Sequence, residues 1–280
     1  MKALQPEYRT LDLCAAFGVS RSGYHRWRQA APGLRRKQDA LIEPQLRQLH
    51  EQSRRTYGRP RLTAALRERG HSCSQKRVRR LMQTLGLRGI QRGRFRPQTT
   101  RSGDQTPAPN LLLGRPAPSR AGEIWVADMT FIPTQEGWLY VAGVMDQGSR
   151  RVLGLAFSSR IDTALCETAL RQALSNRRAS TTLIHHSDQG HQYASRRYRQ
   201  LLQAKGIRQS MSRKANCYDN AHMESFWATL KTEATAGKTF ATRAEAERTL
   251  FGYIHTFYNR VRLHSALGYQ SPVDFENKTN

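Results

Sequence analysis

A proline-rich stretch from Gly93 to Pro118 divides the 280-residue chain into two parts. Five of the eleven prolines lie in it, namely Pro97, Pro107, Pro109, Pro116 and Pro118. Because proline fixes φ and lacks a backbone donor, such a stretch sustains neither a helix nor a sheet ladder. The sequence therefore predicts a linker over 93–118 that joins one region at 1–92 to a second region at 119–280.

The two parts differ in charge. Residues 1–118 contain 25 Lys and Arg against 7 Asp and Glu, a net charge of +18, whereas residues 119–280 contain 21 against 14, a net charge of +7. The total of +25 favours a polyanionic partner such as nucleic acid and argues against an ordinary metabolic enzyme.

Membrane and secreted classes are disfavoured by two further features. The longest nearly apolar stretch, Trp138 to Met145, has eight residues, which is too short to cross a bilayer or to form the core of a signal peptide. The four cysteines, at 14, 73, 166 and 217, have neither zinc-finger spacing nor the pattern of a disulfide framework. We therefore expect a cytoplasmic, nucleoid-associated protein without a membrane partner.

The first helical unit lies between Leu11 and Arg28, where apolar residues recur at roughly helical spacing. The spacing breaks at residues 17–20, where Gly18 can adopt positive φ and Ser20 can cap a second helix. That second helix carries cations on its polar face, including Arg21 and Arg26. A helix-turn-helix that enters a major groove and a basic, solvated hairpin both fit this segment.

A second helical unit follows. The pattern predicts a helix from Leu41 to His50, a turn over 57–61, a helix that ends at Gly70, and a helix from Gln75 to Leu85 capped by Ser74. The cations of this unit that we expect to contact DNA phosphates are Arg59, Arg61, Lys76, Arg77 and Arg80.

The region after the linker has an α/β pattern. The predicted strands cover Ile124–Ala127, Trp138–Met145, Val152–Phe157, Thr182–His186 and Ile207–Met211, and the predicted helices cover Asp162–Arg177 and Ala194–Lys205. The last strand is predicted to be an edge strand. Asp128 and Asp188 follow the first and fourth strands, so we expect a mixed sheet with both acids at strand ends. An acid at a strand end often only caps a turn.

A third acid, Glu224, lies on a helix predicted to begin near Tyr218. Glu224, Ala228 and Lys231 share one stripe of that helix, at i, i+4 and i+7. Three clustered carboxylates repel one another unless cations bind them. Two divalent ions about 3.5–4 Å apart would resolve that repulsion and could catalyse phosphoryl transfer.

The sequence motifs around these three acids resemble those of a known family. They read Trp-Val-Ala-Asp128-Met-Thr, His-Ser-Asp188-Gln-Gly and Asn-Ala-His-Met-Glu224-Ser-Phe, with 59 and then 35 residues between successive acids. The chain resembles the second-frame (OrfB-type) product of the insertion-sequence-3 family transposases, within the retroviral-integrase superfamily. The segments 56–61, 76–82 and 258–272 resemble other parts of that family's sequence.

The resemblance implies an RNase H-like core preceded by an all-α helix-turn-helix region. Asp128, Asp188 and Glu224 match the family's catalytic triad, which binds two Mg²⁺ ions, with Mn²⁺ as an alternative ion, and Lys231 matches a basic residue near the terminal DNA. The implied chemistry is hydrolysis at the element's ends followed by attack of the freed 3′-hydroxyl. The implied partners are double-stranded DNA (terminal repeats and target), further copies of the chain on DNA, and an upstream-frame product as a fusion.

Two other functions use the same residues. An RNase H-like nuclease could cut without joining, and a DNA-binding repressor could carry a silent core. Asp146 is expected only to support a turn, and Asp219 is expected to lie roughly opposite Glu224 on the helix. His185 and His186 are expected to point to opposite faces of a strand. For His264, packing and DNA contact both remain open.

Overall fold

The computed structural model describes residues 1, 4–29, 33–90, 107–118, 120–213, 220–235 and 237–279. The helices are α1 (Thr10–Ala16), α2 (Arg21–Gln29), α3 (Leu34–Gln52), α4 (Arg59–Glu68), α5 (Gln75–Thr84), α6 (Thr163–Asn176), α7 (His191–Ala194), α8 (Arg196–Ala204), α9 (Ala221–Glu233), α10 (Arg243–Gly252) and α11 (Pro272–Thr279). The strands are β1 (Ile124–Thr134), β2 (Gly137–Asp146), β3 (Val152–Ser158), β4 (Ile184–Ser187) and β5 (Arg208–Met211). A π-helical segment, Tyr253–Tyr258, continues α10. In these described ranges, no helix combines the length and apolar character needed to cross a membrane.

The strands form one mixed sheet in the order β3-β2-β1-β4-β5. β1, β2 and β3 form an antiparallel meander, and β4 and β5 run parallel to β1. One hydrophobic cluster contains α6 and α8 side chains with one set of strand residues, and the other contains α9, α10 and the π-helical segment with the alternate set. This mixed sheet with helices on both faces, preceded by five helices, confirms the predicted RNase H-like fold class.

The predicted end of the first strand at Ala127 was wrong. β1 continues through Asp128 to Thr134, and every residue from Trp125 onward has a partner in β2. Ile124 to Val126 pair with β4, but the ladder with β4 does not reach Pro133, where proline is tolerated, and Thr134 instead forms an isolated bridge with Phe240. Asp188 directly follows β4 as predicted, whereas Asp128 lies inside a strand.

The capping signals of the helical region, α1–α5, are confirmed. Gly18 has φ of +62°, and the Ser20 hydroxyl accepts a hydrogen bond from the Gly23 amide at 3.0 Å. Ser74 caps α5 by accepting from the Arg77 amide at 3.2 Å. The predicted turn over 57–61 was wrong in its second half, because α4 begins at Arg59. Pro60 lies in the first turn of α4, where the amide N–H that proline lacks would have no intrahelical partner.

The helical region packs directly against the α/β region. The Tyr57 ring lies 6.4 Å from the Phe257 ring. The Tyr57 hydroxyl donates to the Val261 carbonyl at 3.0 Å and accepts from the Leu263 amide at 2.8 Å. Buried side chains of α3, α4 and α5 belong to the same hydrophobic cluster as those of α9.

The described part of the predicted linker, 107–118, contains no helix or strand. It follows the edge strand β5, since the Leu111 amide donates to the Ser210 hydroxyl at 2.9 Å and the Pro109 carbonyl accepts from the Met211 amide at 3.4 Å. The rest of the predicted linker, up to residue 106, lies outside the described residues. The domain boundaries therefore stay a prediction.

Candidate active site

Parallel pairing of β1 and β4 brings two of the three predicted acids together. Ile124 pairs with Ile184 and Val126 with His186, a constant offset of 60 positions. Continued by two residues, that register sets Asp128 beside Asp188. The carboxylates lie within electrostatic reach of each other, and Glu224, in the first turn of α9, also acts on Asp128.

The Asp128 carboxylate is held by two donors. Its Oδ1 accepts from the Met129 amide at 2.8 Å, and its Oδ2 accepts from the Trp227 indole at 3.1 Å. Burial, and then the neighbouring Asp188, raises the pKa of Asp128 well above its ordinary range. Burial also raises the pKa of Glu224. The ionised form of this cluster is therefore unfavourable unless a cation compensates its charge.

A glycine lets α9 approach the sheet closely enough to form this site. Gly143 lies opposite Asp128 in the β1–β2 ladder. A Cβ at Gly143 would lie 2.9 Å from the Trp227 ring and 3.2 Å from the Met223 methyl group. Met223 and Trp227, an i,i+4 pair on α9, therefore face the sheet. The indole bond to Asp128 was not predicted, although a Trp three positions after Glu224 lies beside it on a helix.

Lys231 lies two helical turns beyond Glu224, as its spacing predicts. Its Nζ is 4.9 Å from the centre of the Phe131 ring, a cation–π distance. Burial lowers the pKa of Lys231, while the Asp128 carboxylate acts in the opposite direction. The ammonium is therefore a half-buried cation that interacts electrostatically with the Asp128 carboxylate.

The oxygen atoms around Asp128 and Asp188 suit a hard divalent cation. Asp188 Oδ1 accepts from the Gly190 amide at 3.0 Å. Asn220 donates to the Ala127 carbonyl at 3.2 Å, and its own Oδ1 is buried without a hydrogen-bond partner among the described residues. Carboxylate and amide oxygens are ligands that Mg²⁺ prefers. Within the same described ranges, no three acidic, His or Cys side chains converge closely enough to hold an ion as they stand.

Asp146 has the structural role that the sequence suggests. Its Oδ1 accepts from the amides of Gly148 and Ser149, both at 3.0 Å, and its Oδ2 forms an ion pair with Arg177 at 2.9 Å. These bonds fix the β2–β3 turn. Asp219 lies outside the described residues.

The two adjacent histidines of β4 have separate partners. His185 contacts the Tyr198 hydroxyl of α8 at 3.0 Å, whereas His186 contacts the Ser210 hydroxyl of β5 at 2.8 Å. The two rings therefore serve packing contacts on different elements. This separation agrees with the expectation that they do not share an ion.

The cations predicted to contact DNA have different environments. Those with exposed side chains and no ion pair among the described residues are Arg21, Arg26, Arg59 and Lys76. Arg77 and Arg80 of α5 instead bind Asp39 of α3, at 2.7 and 2.5 Å, and the Arg77 side chain is only 15% exposed. Arg61 donates to the Leu263 carbonyl at 2.9 Å. The DNA-binding role of each stays a prediction, and three of them already have partners within the chain.

The sequence matches known families over most of its length. An HTH-like domain matches residues 36–95, and an integrase core domain matches residues 118–217 and 224–279. The 31 kDa protein of insertion element IS600 from Shigella sonnei is 43% identical over 95% of this chain and 98% of its own. The transposase of IS904 from Lactococcus lactis is 39% identical over 88% and 97%, and the transposase InsF of IS3A from Escherichia coli is 37% identical over 98% and 96%.

The chain belongs to the insertion-sequence-3 transposase family. As a member of that family it combines an HTH-like domain with an integrase core. The HTH-like match begins at residue 36, so it covers α3–α5 and leaves out α1 and α2. The second predicted helical unit, rather than the first, is the one that the HTH-like domain match covers.

Two solved structures are also similar in shape. A simian T-cell lymphotropic virus intasome in complex with PP2A regulatory subunit B56 gamma matches with a TM-score of 0.47 and 15% identity, over 82% of this chain and 73% of that chain. The HTLV-2 integrase catalytic core domain in complex with magnesium matches with a TM-score of 0.44 and 13% identity, over 56% and 97%.

Proposed function

We propose that this family member cuts DNA at the ends of an insertion sequence and joins the freed 3′-hydroxyl to a second phosphodiester. The observation that supports it best is the β1–β4 register, which, continued by two residues, brings Asp128 beside Asp188 near α9, the helix that carries Glu224. An acid cluster in which the pKa values of Asp128 and Glu224 are raised needs a cationic counterpart, and phosphoryl transfer uses such a counterpart.

Asp128, Asp188 and Glu224 are the residues that would hold two Mg²⁺ ions. When bound, the ions would activate the attacking oxygen and stabilise charge on the leaving oxygen. The Trp227 indole and the Met129 amide orient the Asp128 carboxylate through the bonds described above. The Lys231 ammonium would bind a phosphate of the terminal DNA and hold the 3′ end in place.

The helical region would supply binding to the duplex. Its exposed cations on α2, α4 and α5 can contact phosphates without reading bases. We further propose that copies of the chain assemble on the element ends, with an upstream-frame product as a fusion partner. The cellular location would be the cytoplasm, on the nucleoid.

Two assays, cleavage of an intact element end and strand transfer from a pre-cut end, separate this proposal from its two rivals. Asp188→Asn and Glu224→Gln should lower both cleavage and joining by about 100-fold or more, because several kcal/mol of charge stabilisation would be lost. Asp162→Asn is the matched control, since either residue can cap α6. Cleavage without joining by the wild type would favour the nuclease, and neither reaction would favour the repressor.

Lys231→Gln tests the role of the ammonium. The variant should join terminal DNA about 10-fold more slowly, because a charge-assisted phosphate contact contributes roughly 1.5–3 kcal/mol. Lys205→Gln, which removes an exposed ammonium after α8, is the control. Joining by Lys231→Gln at the wild-type rate across a range of salt would remove Lys231 from the site.

A further inference from the structure

A cavity of about 240 Å³ lies on the side of α9 away from Glu224. The α9 residues that line it are His222, Ser225, Phe226 and Thr229, which share one helix face, whereas Glu224 and Lys231 lie on another. The remaining lining comes from three distant segments. Arg61 comes from α4, Arg150 from the β2–β3 turn, and the group around Arg262 and His264 from the segment after the π-helix.

The charge lining this cavity is strongly positive. Three arginines and two histidines line it, and none of its lining residues is acidic. One carboxylate, Glu233, lies behind the wall and binds Arg262 at 2.7 Å and Arg61 at 3.9 Å. Three guanidinium groups face this carboxylate, and the Asp146 carboxylate that also acts on Arg150 is already paired with Arg177, so an excess of positive charge remains around a concave surface. Such a surface attracts anions.

Arg150 is held less directly, since the Asp146 carboxylate acts on it only from a distance. No ion pair joins it to an acid within the described ranges, and its guanidinium instead contacts the His222 ring. Burial lowers the pKa of Arg150. Its φ of +62° is uncommon for a residue other than glycine or asparagine, and such backbone positions concentrate at functional sites. A half-buried cation in this setting is stabilised by an anion that enters the cavity.

The positive potential of the cavity also affects the pKa of His264. Burial, and then Arg262, Arg61 and Arg150, holds the pKa of His264 well below its ordinary value. The floor is apolar, with Phe226 buried, and the exposed rim carries Ser265. A neutral imidazole and a rim hydroxyl around guanidinium groups form a lining that suits a tetrahedral oxyanion.

We propose that this cavity binds one phosphodiester of a DNA backbone, at a site separate from the acid cluster. The inference rests on the proposed function, because it takes DNA as the substrate. The cavity joins α4 of the helical region to α9 of the integrase core, about one helix diameter (roughly 10 Å) from the carboxylates. A duplex that spans both regions passes this junction, and its phosphate would fix α4 against the core.

The salt dependence of DNA binding tests the site without catalysis. The full chain is titrated onto a labelled duplex in EDTA, and affinity is followed by fluorescence anisotropy. Log affinity falls as log salt rises, and Arg150→Gln should make this slope less steep by about 0.9. Between about 50 and 200 mM salt, the wild type should therefore lose about 3.5-fold more affinity than the variant. Gln places no greater demand on the backbone than Arg at this φ.

Arg171→Gln is the matched control, because it removes an exposed arginine from α6, on the other face of the sheet. Ser265→Asp is a second pocket variant, and it keeps Arg150 while adding a carboxylate at the exposed rim. It should also make the slope less steep. Circular dichroism melts check that each variant is folded. Slopes that match the wild type in both folded pocket variants would overturn the proposal.

Inorganic phosphate distinguishes a free anion from a DNA phosphate. Millimolar phosphate should raise the melting temperature of the wild type more than that of Arg150→Gln. If phosphate does so while the DNA slope is unchanged, the cavity binds a free anion and the proposal is wrong. Because binding is measured in EDTA and joining in Mg²⁺, failure of the proposed function is seen in the joining assay alone.

Discussion

At the scale of single residues, Asp128 decides the electrostatics of the site. It is enclosed by β1, β4 and α9, its two oxygens already accept hydrogen bonds, and Asp188 adds a second negative charge. Burial of a charge beside a like charge is costly without a cation. The same arrangement that suits a metal ion therefore lowers the stability of the metal-free protein.

Asp128→Asn should raise the melting temperature in EDTA while it abolishes joining. The folded pKa of Asp128 is raised above the unfolded value near 3.9, so its ionisation opposes folding above that pH. The amount by which the melting temperature of Asp128→Asn exceeds that of the wild type should therefore increase as pH rises from about 4 towards neutrality. Asp12→Asn, at an exposed ion pair of α1, is the control and should change little. A variant less stable than the wild type at neutral pH would contradict this account.

At the scale of elements, the distance between α9 and the sheet controls the site. Gly143 is the contact that sets it, because Trp227 and Met223 occupy the space of a side chain there. The helix therefore carries Glu224, Trp227 and Lys231 to the sheet as one rigid unit.

Gly143→Ala should lower the free energy of unfolding by about 1–3 kcal/mol, because one methyl group overpacks the contact between β2 and α9. Joining should also decrease, since Trp227 would move away from Asp128. Gly252→Ala is the control, because its Cβ would meet nothing within 4 Å and it lies in helical backbone. It should leave stability unchanged or raise it by about 0.5–1 kcal/mol. Urea denaturation measures the stability of both variants. Equal stability of Gly143→Ala and Gly252→Ala would contradict the close contact between β2 and α9.

At the scale of the whole molecule, distant segments are joined by buried ion pairs. Arg262 binds Glu233 with both groups less than 10% exposed, and this pair lies beside Arg61 of α4. At the other end of the chain, Glu276 of α11 accepts from Ser149 at 2.5 Å and from Arg151 at 2.7 Å. It also binds Arg177, which follows α6. These contacts link the C-terminal helix to the sheet.

Glu276→Gln should cost about 2 kcal/mol of stability at neutral pH, since hydrogen bonds to a charged group contribute roughly 1.5–3 kcal/mol. Burial alone would raise the pKa of Glu276, but hydrogen bonds from Arg177, Ser149 and Arg151 lower it below the ordinary value. Its contribution is therefore complete above about pH 4.5 and is lost as pH falls through the lowered pKa.

The difference in melting temperature between the wild type and Glu276→Gln should accordingly shrink in acid. Glu247→Gln, at an exposed position on α10, is the control and should follow the wild type at every pH. A difference that stays constant from neutral pH to about pH 3 would show that the folded protein does not lower the pKa of Glu276.

Much of the fold could be predicted from the sequence because the signals are local. Ser20, Ser74 and Asp162 each cap a helix whose start lies within three residues. The sequence motifs around Asp128, Asp188 and Glu224 indicated the family. Such signals depend on neighbours within a turn or two, so one chain is enough to read them.

Tertiary structure alone decided the rest. The length of β1 depends on its pairing with β2, the indole bond to Asp128 spans 99 positions, and the Arg77–Asp39 bond spans 38. The cationic cavity combines Arg61, Arg150 and His264 from segments that share no local pattern. Contacts of this kind form only when the sheet and helices have packed, because burial and partner geometry, rather than residue type, determine which charges meet.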